Sequence, residues 1–455
     1  MPPTAADAVA YYHQLLEDPA LLNASVHVLA EGQQDRRLLF GAHPLSVSLR
    51  PRLLARSTWE RAVLAAEAIY DALATLEQAV LTDPYLRAEL ELPPAEERLA
   101  LAWPGYAASS PSSRLDSFFA DDIGYVEYNA ESPAGIAYGD ELTEVFDDLP
   151  VMRRFAQRYP MSRLPVRGHQ LEAMLAVFWE WAHNTGHTDP PRIAIVDWPG
   201  LPTLTEFEMF QRFFTAAGIE CCICDPTTLV WDGQTLRACD GGYVNLVYRR
   251  VLTSELLARG DAVQGLLDAY LAGAVCVVNS FRAKLLHTKM TLALLSDESH
   301  HELFSAEQRD AINQFVPWTR KVADGPTTRH GRIIPDLLAH IVARQRELVL
   351  KPNDEYGGKG VILGWTAAEG EWRQAVSIAA TQSYVVQEAI PVPRECFPIG
   401  VGGRVNLLDL AVDMDPYLFR GKVGGVLTRL SSSALLNVTA GEGSVVPTYV
   451  LQDVD

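Results

Sequence analysis

The sequence predicts a mixed α+β and α/β fold with several domains and a helical region at its start. Three observations lead to this prediction. Helical periodicity dominates residues 5–100, strands alternate with helices over residues 192–279, and a glycine-rich stretch joins two apolar runs at residues 348–364. The chain has 455 residues, 48% of them hydrophobic, which is enough for two or three domains with a sizeable core.

Composition excludes several classes of partner. The net charge of −19 argues against nucleic acid and against an anionic membrane surface. The first residues lack a secretory pattern, and the longest uncharged apolar run, Ala269 to Val278, is too short to span a membrane. We therefore expect a cytoplasmic protein with no membrane partner, in which Cys221 and Cys224, despite their CxxC spacing, are reduced core thiols and not a redox or zinc site.

Residues 1–105 are predicted to form a helical N-terminal region. Trp59 to Leu81 has long Ala/Leu/Glu periodicity, and a second helix is expected at Pro94 to Leu101. This region carries no catalytic signature, so we expect it to pack against the rest of the chain.

Residues 106–190 contain two predicted strands on which polar residues occupy every second position. Because alternate side chains of a strand share one face, the members of each polar set lie on the same face of their strand. Val126 and Tyr128 are predicted on the opposite face, packed against the core. The sets are Arg114 with Asp116, and Glu127 with Asn129 and Glu131. Carboxylate and amide oxygens suit Mg²⁺, and an arginine could stabilise a transferring phosphoryl group. A solvated strand face is the alternative, although the tight turn that begins at Ser132 favours a site.

Residues 191–330 are predicted to contain a parallel, Rossmann-like sheet, because strands and helices alternate there. Loops at the carboxyl ends of such strands form a ligand crevice, which places Asp197, Arg249, Arg250 and Asn279 at candidate positions. The first strand is not followed by GxGxxG, so the sequence does not support NAD binding. Arg249 and Arg250 could bind a substrate carboxylate or form a surface salt bridge, and the sequence does not separate the two.

The remaining elements are predicted from periodicity. Helices are expected at Ser254 to Ala272, at Phe281 to Leu295, which carries Lys284 and Lys289, at Ile333 to Arg346 and at Ala368 to Thr381. A strand is expected at Tyr384 to Ile390, and several strands over residues 405–451, including one at 435–441.

The stretch Leu348 to Gly364 is predicted to be a strand, a glycine-rich loop and a second strand. Lys351 ends the first strand, and Gly357, Gly358, Lys359 and Gly360 form the loop. Glycines let backbone N–H groups approach phosphate oxygens, and the lysines add positive charge. The spacing is not that of a P-loop, and an ordinary hairpin with a Gly-Gly turn is the alternative.

Taken together, these residues resemble the circularly permuted ATP-grasp family, specifically the glutathionylspermidine synthetase type. The family has an RxD…ExN pattern. Arg114 and Asp116 match RxD, and Glu127 and Asn129 match ExN. Lys351 and the glycine-rich loop resemble the nucleotide-binding half of the fold. The resemblance covers residues 110–455. It implies a helical region at 1–105, magnesium-binding strands at 106–190, a Rossmann-like pre-ATP-grasp domain at 191–330 and a nucleotide-binding part at 331–455.

The resemblance also implies roles for individual residues. Asp116, Glu127 and Asn129 would bind Mg²⁺, and Arg114 would stabilise the acyl-phosphate transition state. The expected ATP-binding residues, on the phosphates or on the adenine side, are Lys289, Lys351, Gly357, Gly358, Lys359, Gly360, Gln387 and Glu388. We place the candidate substrate site at Glu131, Ser132, Arg249 and Arg250. The chain lacks the family's amidase domain, its GGKG loop differs from the usual arginine-glutamate version, and a glutathione-binding set is missing.

We therefore expect an ATP- and Mg²⁺-dependent carboxylate–amine ligase that forms an amide through an acyl phosphate. Its partners would be a small carboxylate and a small amine, and a soluble enzyme of this size is often a symmetric dimer. One alternative is a phosphotransferase on the same fold. Another is a non-catalytic ATP-binding or assembly protein.

Overall fold

The computed structural model describes residues 4–40, 43–120, 122–433 and 443–452, so the strand predicted at 435–441 lies outside the described residues. Its α-helices are α1 Ala5–Leu15, α2 Pro19–Asp35, α3 Arg56–Thr82, α4 Pro84–Ala88, α5 Pro94–Leu101, α6 Ile136–Asp148, α7 Pro150–Ala156, α8 Arg167–Thr185, α9 Leu204–Ala216, α10 Thr253–Leu257, α11 Gln264–Leu271, α12 Lys284–His287, α13 Met290–Ser296, α14 Ala306–Phe315, α15 Leu337–Ala343 and α16 Glu369–Ala379. Its β-strands are β1 Leu39–Phe40, β2 His43–Pro44, β3 Arg52–Leu54, β4 Ser112–Phe119, β5 Ile123–Asn129, β6 Met161–Arg163, β7 Ile193–Val196, β8 Cys221–Cys224, β9 Val230–Trp231, β10 Leu236–Arg237, β11 Tyr243–Val244, β12 Leu246–Arg249, β13 Cys276–Val278, β14 Thr319–Lys321, β15 Thr327–Arg329, β16 Arg332–Ile334, β17 Leu348–Pro352, β18 Ile362–Leu363, β19 Tyr384–Glu388, β20 Arg394–Val401, β21 Arg404–Val412, β22 Asp415–Phe419, β23 Lys422–Leu427, β24 Arg429–Ser431, β25 Gly443–Val445 and β26 Thr448–Leu451.

A parallel sheet forms where strands and helices alternate in the sequence. Its order is β13-β12-β7-β8, and each neighbouring pair is parallel. The apolar runs of β7, β12 and β13 are buried, as strands covered on both faces require. The parallel pairing is therefore confirmed, whereas its assignment as a pre-ATP-grasp domain stays a prediction.

A second sheet, the nucleotide sheet, contains the strands on both sides of the glycine-rich loop. It is antiparallel with the order β14-β19-β17-β18, and Val349 of β17 pairs with Leu363 of β18. Helices α15 and α16 supply the apolar side chains that pack on it, with Trp372 fully buried. Strand β14 belongs to this sheet although it precedes residue 331, the predicted start of the nucleotide-binding part, and that domain boundary stays a prediction.

A third sheet, the acidic sheet, carries the polar strands of the predicted metal site. Its order is β23-β22-β4-β5, so strands from the last tenth of the chain complete a hairpin that begins at Ser112. Tyr417 of β22 pairs with Arg114 of β4, and Leu115 and Tyr128 enter the core on the other face. Two distant stretches of sequence therefore build one surface.

The first hundred residues are mostly helical, as predicted, but they also contribute strands. The longest helix, α3, buries Ala66, Ile69 and Leu73 against the apolar face of the acidic sheet. Strand β3 pairs with β26 near the end of the described chain. Among the described residues, none of the helices has the length and apolarity needed to cross a membrane.

Three predicted helices are shorter or broken. The helix predicted over residues 254–272 breaks at Gly260, which has a positive φ of 55°. Residues 332–334 form β16, and α15 begins after Asp336, whose carboxylate caps it. The helix predicted over 281–295 is interrupted between α12 and α13, at Thr288 and Lys289. There the backbone N–H of Lys289 binds the carbonyl of Asn353 in the glycine-rich loop, 3.0 Å away.

Candidate functional site

A cleft between the acidic sheet and the nucleotide sheet brings most of the predicted site residues together. It encloses about 190 Å³. The predicted residues that line it are Arg114, Asp116, Glu127, Asn129, Lys289, Lys351, Gly357, Gly358, Gln387 and Glu388. Apolar side chains line another part of the cleft, namely Val349, Val361, Leu363, Trp365, Ile390 and Val392.

Four polar residues face one another across β4 and β5. Arg114 lies opposite Asn129, and Asp116 lies opposite Glu127. Arg114 binds both oxygens of Asp116 at 2.7 and 3.0 Å, and the Asn129 amide nitrogen donates to Asp116 Oδ1 at 2.8 Å. The alternating pattern in the sequence thus produces one continuous polar surface.

Arg429 is a site residue that we did not predict. Its Nη2 atom lies 2.8 Å from Asp116 Oδ2 and 2.7 Å from Asp415 Oδ2, and its Nε atom binds Asp413 at 2.6 Å. Arg429 lines the cleft, and the two additional aspartates hold its guanidinium against Asp116. The sequence signal was the pair Asp413 and Asp415, spaced by two on a predicted strand.

The two arginines control the protonation of these carboxylates. Burial disfavours the charged form of Asp116, but Arg114 and Arg429 outweigh it and lower the pKa of Asp116 to about 2. Burial raises the pKa of Asp415, and the neighbouring Asp116 and Asp413 carboxylates raise it further, against the opposing charges of Arg429 and Arg114. Asp116 is therefore charged, whereas the environment of Asp415 favours its protonated form.

A β-bulge connects the acidic sheet to Lys351. The register of β4 and β5 shifts after Asp116, which leaves Val126 without an opposing partner. Val126 therefore lines the cleft, whereas we predicted it on the core face together with Tyr128. Its carbonyl accepts a hydrogen bond from Lys351 Nζ at 3.0 Å.

The two predicted phosphate lysines lie in the cleft with different partners. Lys289 Nζ lies 3.1 Å from Glu127 Oε1 and donates to the Glu355 carbonyl at 2.5 Å. Lys351 Nζ donates to Gln387 Oε1 at 2.6 Å. Burial lowers the pKa of Lys351 to about 8, with Lys289 contributing in the same direction and Glu127 opposing. Both lysines place positive charge between the two sheets.

Gln387 and Glu388 have different interaction partners. Gln387 is buried and links Lys351 to Thr319, because its Nε2 atom donates to Thr319 Oγ1 at 3.0 Å. Glu388 is paired with Arg329 at 2.5 Å and with His330 at 3.1 Å. Both residues line the cleft, and Gln387 directs its side-chain oxygen at Lys351.

The glycine-rich loop borders the cleft as predicted. Gly357, Gly358 and Gly360 have positive φ values of 65°, 74° and 72°, which other residues rarely adopt. Lys359 is 75% exposed and paired with Glu355, and neither it nor Gly360 lines the cleft. Of the loop, Gly357 and Gly358 therefore lie at the cleft together with Lys289 and Lys351.

The candidate substrate residues do not line this cleft. Glu131 and Arg249 form a fully buried ion pair at 2.8 Å, and Arg249 also donates to the carbonyls of Asn279, Val251 and Ser280. Burial opposes ionisation of Glu131, but Arg249 and Lys284 lower its pKa. The pair is neither a surface salt bridge nor an open carboxylate site, because both side chains are sealed from solvent.

Arg250 and Ser132 are also engaged within the protein. The Ser132 hydroxyl donates to the Arg250 carbonyl at 2.8 Å, and the Arg250 side chain donates to the Pro133 carbonyl at 2.7 Å. Arg250 lies 3.9 Å from Glu206, which caps the turn before α6 through the N–H groups of Gly135 and Ala137. These contacts fix the end of the ExN segment against the parallel sheet.

The cleft contains oxygen ligands of the type that a hard cation prefers, but some of these oxygens already bind arginine or lysine side chains. Asp116, Glu127 and Asn129 offer carboxylate and amide oxygens on one face. Both Asp116 oxygens are shared with guanidinium groups, and Glu127 is paired with Lys289. Within the part of the chain that the structure describes, no group of three or more His, Cys, Asp or Glu side chains could hold a metal.

The chain is similar to proteins whose names describe ligases and synthetases. No family model matches it. It is 24% identical over 461 residues to a Frankia casuarinae protein named as a candidate glutamate–cysteine ligase, a match that covers 94% of this chain and 50% of the relative. The chain thus spans about half the length of the curated relative that it matches.

Among solved structures, the chain resembles a glutathione synthetase-like effector from Globodera pallida. The TM-score is 0.60 at 14% identity, over 95% of this chain and 98% of the effector, so the two share a mixed α/β fold. A candidate gamma-glutamylcysteine synthetase from Methylobacillus flagellatus matches with a TM-score of 0.44 at 13% identity, over 88% of this chain and 89% of that one. The names of the Frankia and Globodera proteins refer to glutamate–cysteine ligase and glutathione synthetase, which is a coarser likeness than the predicted glutathionylspermidine synthetase type.

Proposed function

We propose that the protein is an ATP- and Mg²⁺-dependent carboxylate–amine ligase of the ATP-grasp type. The observation that supports this proposal is one cleft that combines the Arg114–Asp116 and Glu127–Asn129 pairs with Lys289, Lys351 and the glycine-rich loop. The names of the Frankia and Globodera proteins are consistent with amide formation. Because the chain spans half of the Frankia protein, that name does not determine this chain's own reaction.

The proposed reaction has two steps. An oxygen of the substrate carboxylate attacks the γ-phosphorus of ATP, so a P–O bond to ADP breaks and an acyl phosphate forms. An amine then attacks the acyl carbon, and phosphate leaves with the C–O bonding electrons while the nitrogen loses a proton. The product is an amide, and no side-chain nucleophile is required.

The chain's own residues would bind and orient the reacting groups. Lys289, Lys351 and the glycine-rich loop would bind the phosphates, and the apolar wall around Trp365 would hold the base. Arg114 and Arg429 would stabilise negative charge on the transferring phosphoryl group. Asp116, Glu127 and Asn129 would hold Mg²⁺, which would supply positive charge between the phosphates and the carboxylates.

The site is tested by nucleotide binding. Lys351→Ala and Glu127→Ala should each weaken binding of an ATP analogue with Mg²⁺ by at least about tenfold, since each removes one charged contact. Lys422→Ala is the matched control, because Lys422 is an exposed residue paired with Glu67 away from the cleft. Wild-type affinity in both cleft variants would disprove the assignment.

The reaction is tested by product analysis with panels of carboxylates and amines. Phosphate release that depends on the amine, together with an amide product, supports the ligase. A stable phosphorylated product would identify a phosphotransferase instead. ATP binding without turnover for any substrate pair would identify a non-catalytic nucleotide-binding protein.

A further inference from the structure

We propose that Lys284 is a positioning residue that fixes the root of the glycine-rich loop to the segment carrying the candidate metal ligands. The loop root is Asn353 to Glu355, and the loop tip is Tyr356 to Gly360. The proposal rests on the proposed function insofar as the loop is assigned there to ATP.

Lys284 reaches the loop root from the start of α12. Its side chain is fully buried, and Nζ lies 2.6 and 2.7 Å from the two oxygens of Asp354. A lysine between both oxygens of one carboxylate makes charge-assisted hydrogen bonds, which are stronger than neutral ones. The first acidic residue after β17 is thereby held in a single position.

The same ammonium group also faces the end of the ExN segment. Lys284 Nζ lies 3.6 Å from Glu131 Oε2, and Glu131 is two residues after the candidate metal ligand Asn129. The other oxygen of Glu131 is bound by Arg249, so Glu131 cannot follow Lys284 if that side chain moves. Lys284 therefore connects the loop root to a rigid point beside the acidic sheet.

Backbone contacts reinforce this connection at the break between α12 and α13. The N–H of Lys289 donates to the Asn353 carbonyl at 3.0 Å, and the N–H of Met290 donates to Asn353 Oδ1 at 2.9 Å. Lys289 Nζ binds the carbonyl of Glu355 at 2.5 Å. All three residues of the loop root are thus held by the segment 284–290.

The loop tip, unlike the loop root, is rich in glycine and carries exposed side chains. Three of its five residues are glycines with positive φ, Tyr356 is 57% exposed, and Lys359 is 75% exposed. A fixed root with a glycine-rich tip is the arrangement expected of a flap that closes over a ligand from a constant starting point. Lys284 would set that starting point without touching the ligand.

Lys284 is also the cation that compensates several buried carboxylates. Glu96 Oε2 and Glu131 Oε2 are buried without hydrogen-bond partners among the described residues, and they lie 3.4 and 3.6 Å from Lys284 Nζ. Replacing Lys284 with an apolar residue would leave Glu96 without its neighbouring cation and Glu131 with Arg249 as its main partner, which destabilises the fold. Asp354 is the better target, because its side chain is 31% exposed and lies at the outer end of the cluster.

Tryptic cleavage after Lys359 measures how firmly the loop is held. In the absence of nucleotide, Asp354→Ala should increase the rate of this cleavage by about tenfold over wild type, because a charge-assisted contact to the root is lost. Asp409→Ala is the matched control, since Asp409 forms an exposed pair with Arg394 on another sheet. Lys284→Arg, which keeps the positive charge, should stay closer to wild type than Lys284→Met.

The outcomes separate positioning from general stability. Faster cleavage at Lys359 with unchanged cleavage elsewhere and an unchanged melting temperature supports the proposal. An unchanged rate at Lys359, or a rate that rises equally at all sites, overturns it. Binding of a fluorescent ATP analogue should weaken about tenfold in Asp354→Ala and not in Asp409→Ala.

Failure of the proposed function would be visible in the same experiment. If wild-type protein neither binds the analogue nor gains protection at Lys359 from it, the ATP assignment is wrong. The cleavage rates without nucleotide still decide whether Lys284 and Asp354 hold the loop root.

Discussion

Lys351 donates a hydrogen bond from Nζ to the side-chain oxygen of Gln387, 2.6 Å away on the adjacent strand of the nucleotide sheet. The same ammonium group binds the carbonyl of Val126 at the bulge in the acidic sheet. One buried cation therefore joins the two walls of the cleft, and its charge state affects both.

Nucleotide affinity should fall as the pH rises from 7 to 9. Burial lowers the pKa of Lys351 to about 8, so above that pH the free protein must take up a proton when it binds a polyphosphate. Between pH 8 and 9 the dissociation constant should therefore rise by up to about tenfold. Titration of an ATP analogue across this range measures the effect. Lys351→Arg should remove the dependence, and equal slopes for both proteins would contradict the prediction.

Removing Arg249 should destabilise the fold. Arg249→Met leaves the Glu131 carboxylate buried without its main partner, and loss of one member of a buried ion pair costs about 3–5 kcal/mol. Urea unfolding measures the change, and the double variant Glu131→Leu/Arg249→Met should recover part of the loss. A stable Arg249→Met protein with only a weakened apparent affinity for the carboxylate would instead restore the substrate role predicted from sequence.

Arg429 should affect turnover more than nucleotide binding. Arg429→Lys loses the planar fork that contacts Asp116, Asp413 and Asp415 together, so we expect amine-dependent phosphate release to fall by about 100-fold. Affinity for the ATP analogue should change far less. Arg394→Lys, in an exposed pair, is the control. An equal loss in affinity and turnover would assign Arg429 to nucleotide binding.

Gly360 should tolerate no side chain. Its φ is +72°, and a Cβ atom there would lie 2.7 Å from Pro352 Cγ. Gly360→Ala should therefore weaken ATP-analogue binding while the melting temperature stays near wild type, since the loop lies outside the core. Gly370→Ala is the control, because Gly370 lies in α16 with open space around it. No effect of Gly360→Ala would show that the loop conformation is unimportant.

The sequence predicted the parts of the site that depend on local periodicity. Arg114 and Asp116, and Glu127 and Asn129, share a face because alternate residues of a strand always do, and the two pairs lie opposite each other in one hairpin. The predicted glycine-rich loop does border the cleft through Gly357 and Gly358. The parallel sheet followed from alternating strands and helices.

The parts that sequence reasoning missed depend on contacts between distant segments. Arg429, on β24, meets Asp116 in a region where β22 pairs with the distant β4, and the spacing of Asp413 and Asp415 does not by itself record that pairing. The bulge that exposes Val126 depends on register, and the helix break at Lys289 depends on Asn353. Arg249 was expected near solvent, but its burial is decided by how the parallel sheet packs on the ExN segment.

The acidic sheet also determines when a growing chain can acquire its cleft. Strands β4 and β5 leave the ribosome early, and their partner strands β22 and β23 follow about 300 residues later. Only then can Tyr417 pair with Arg114. Until then the carboxylate of Asp116 lacks Arg429, and the hairpin presents an unpaired edge. Non-local strand pairing of this kind slows folding, and the exposed edge favours aggregation. Truncation before residue 415 should therefore remove the cleft altogether, even though every predicted phosphate-binding and metal-binding residue would still be present.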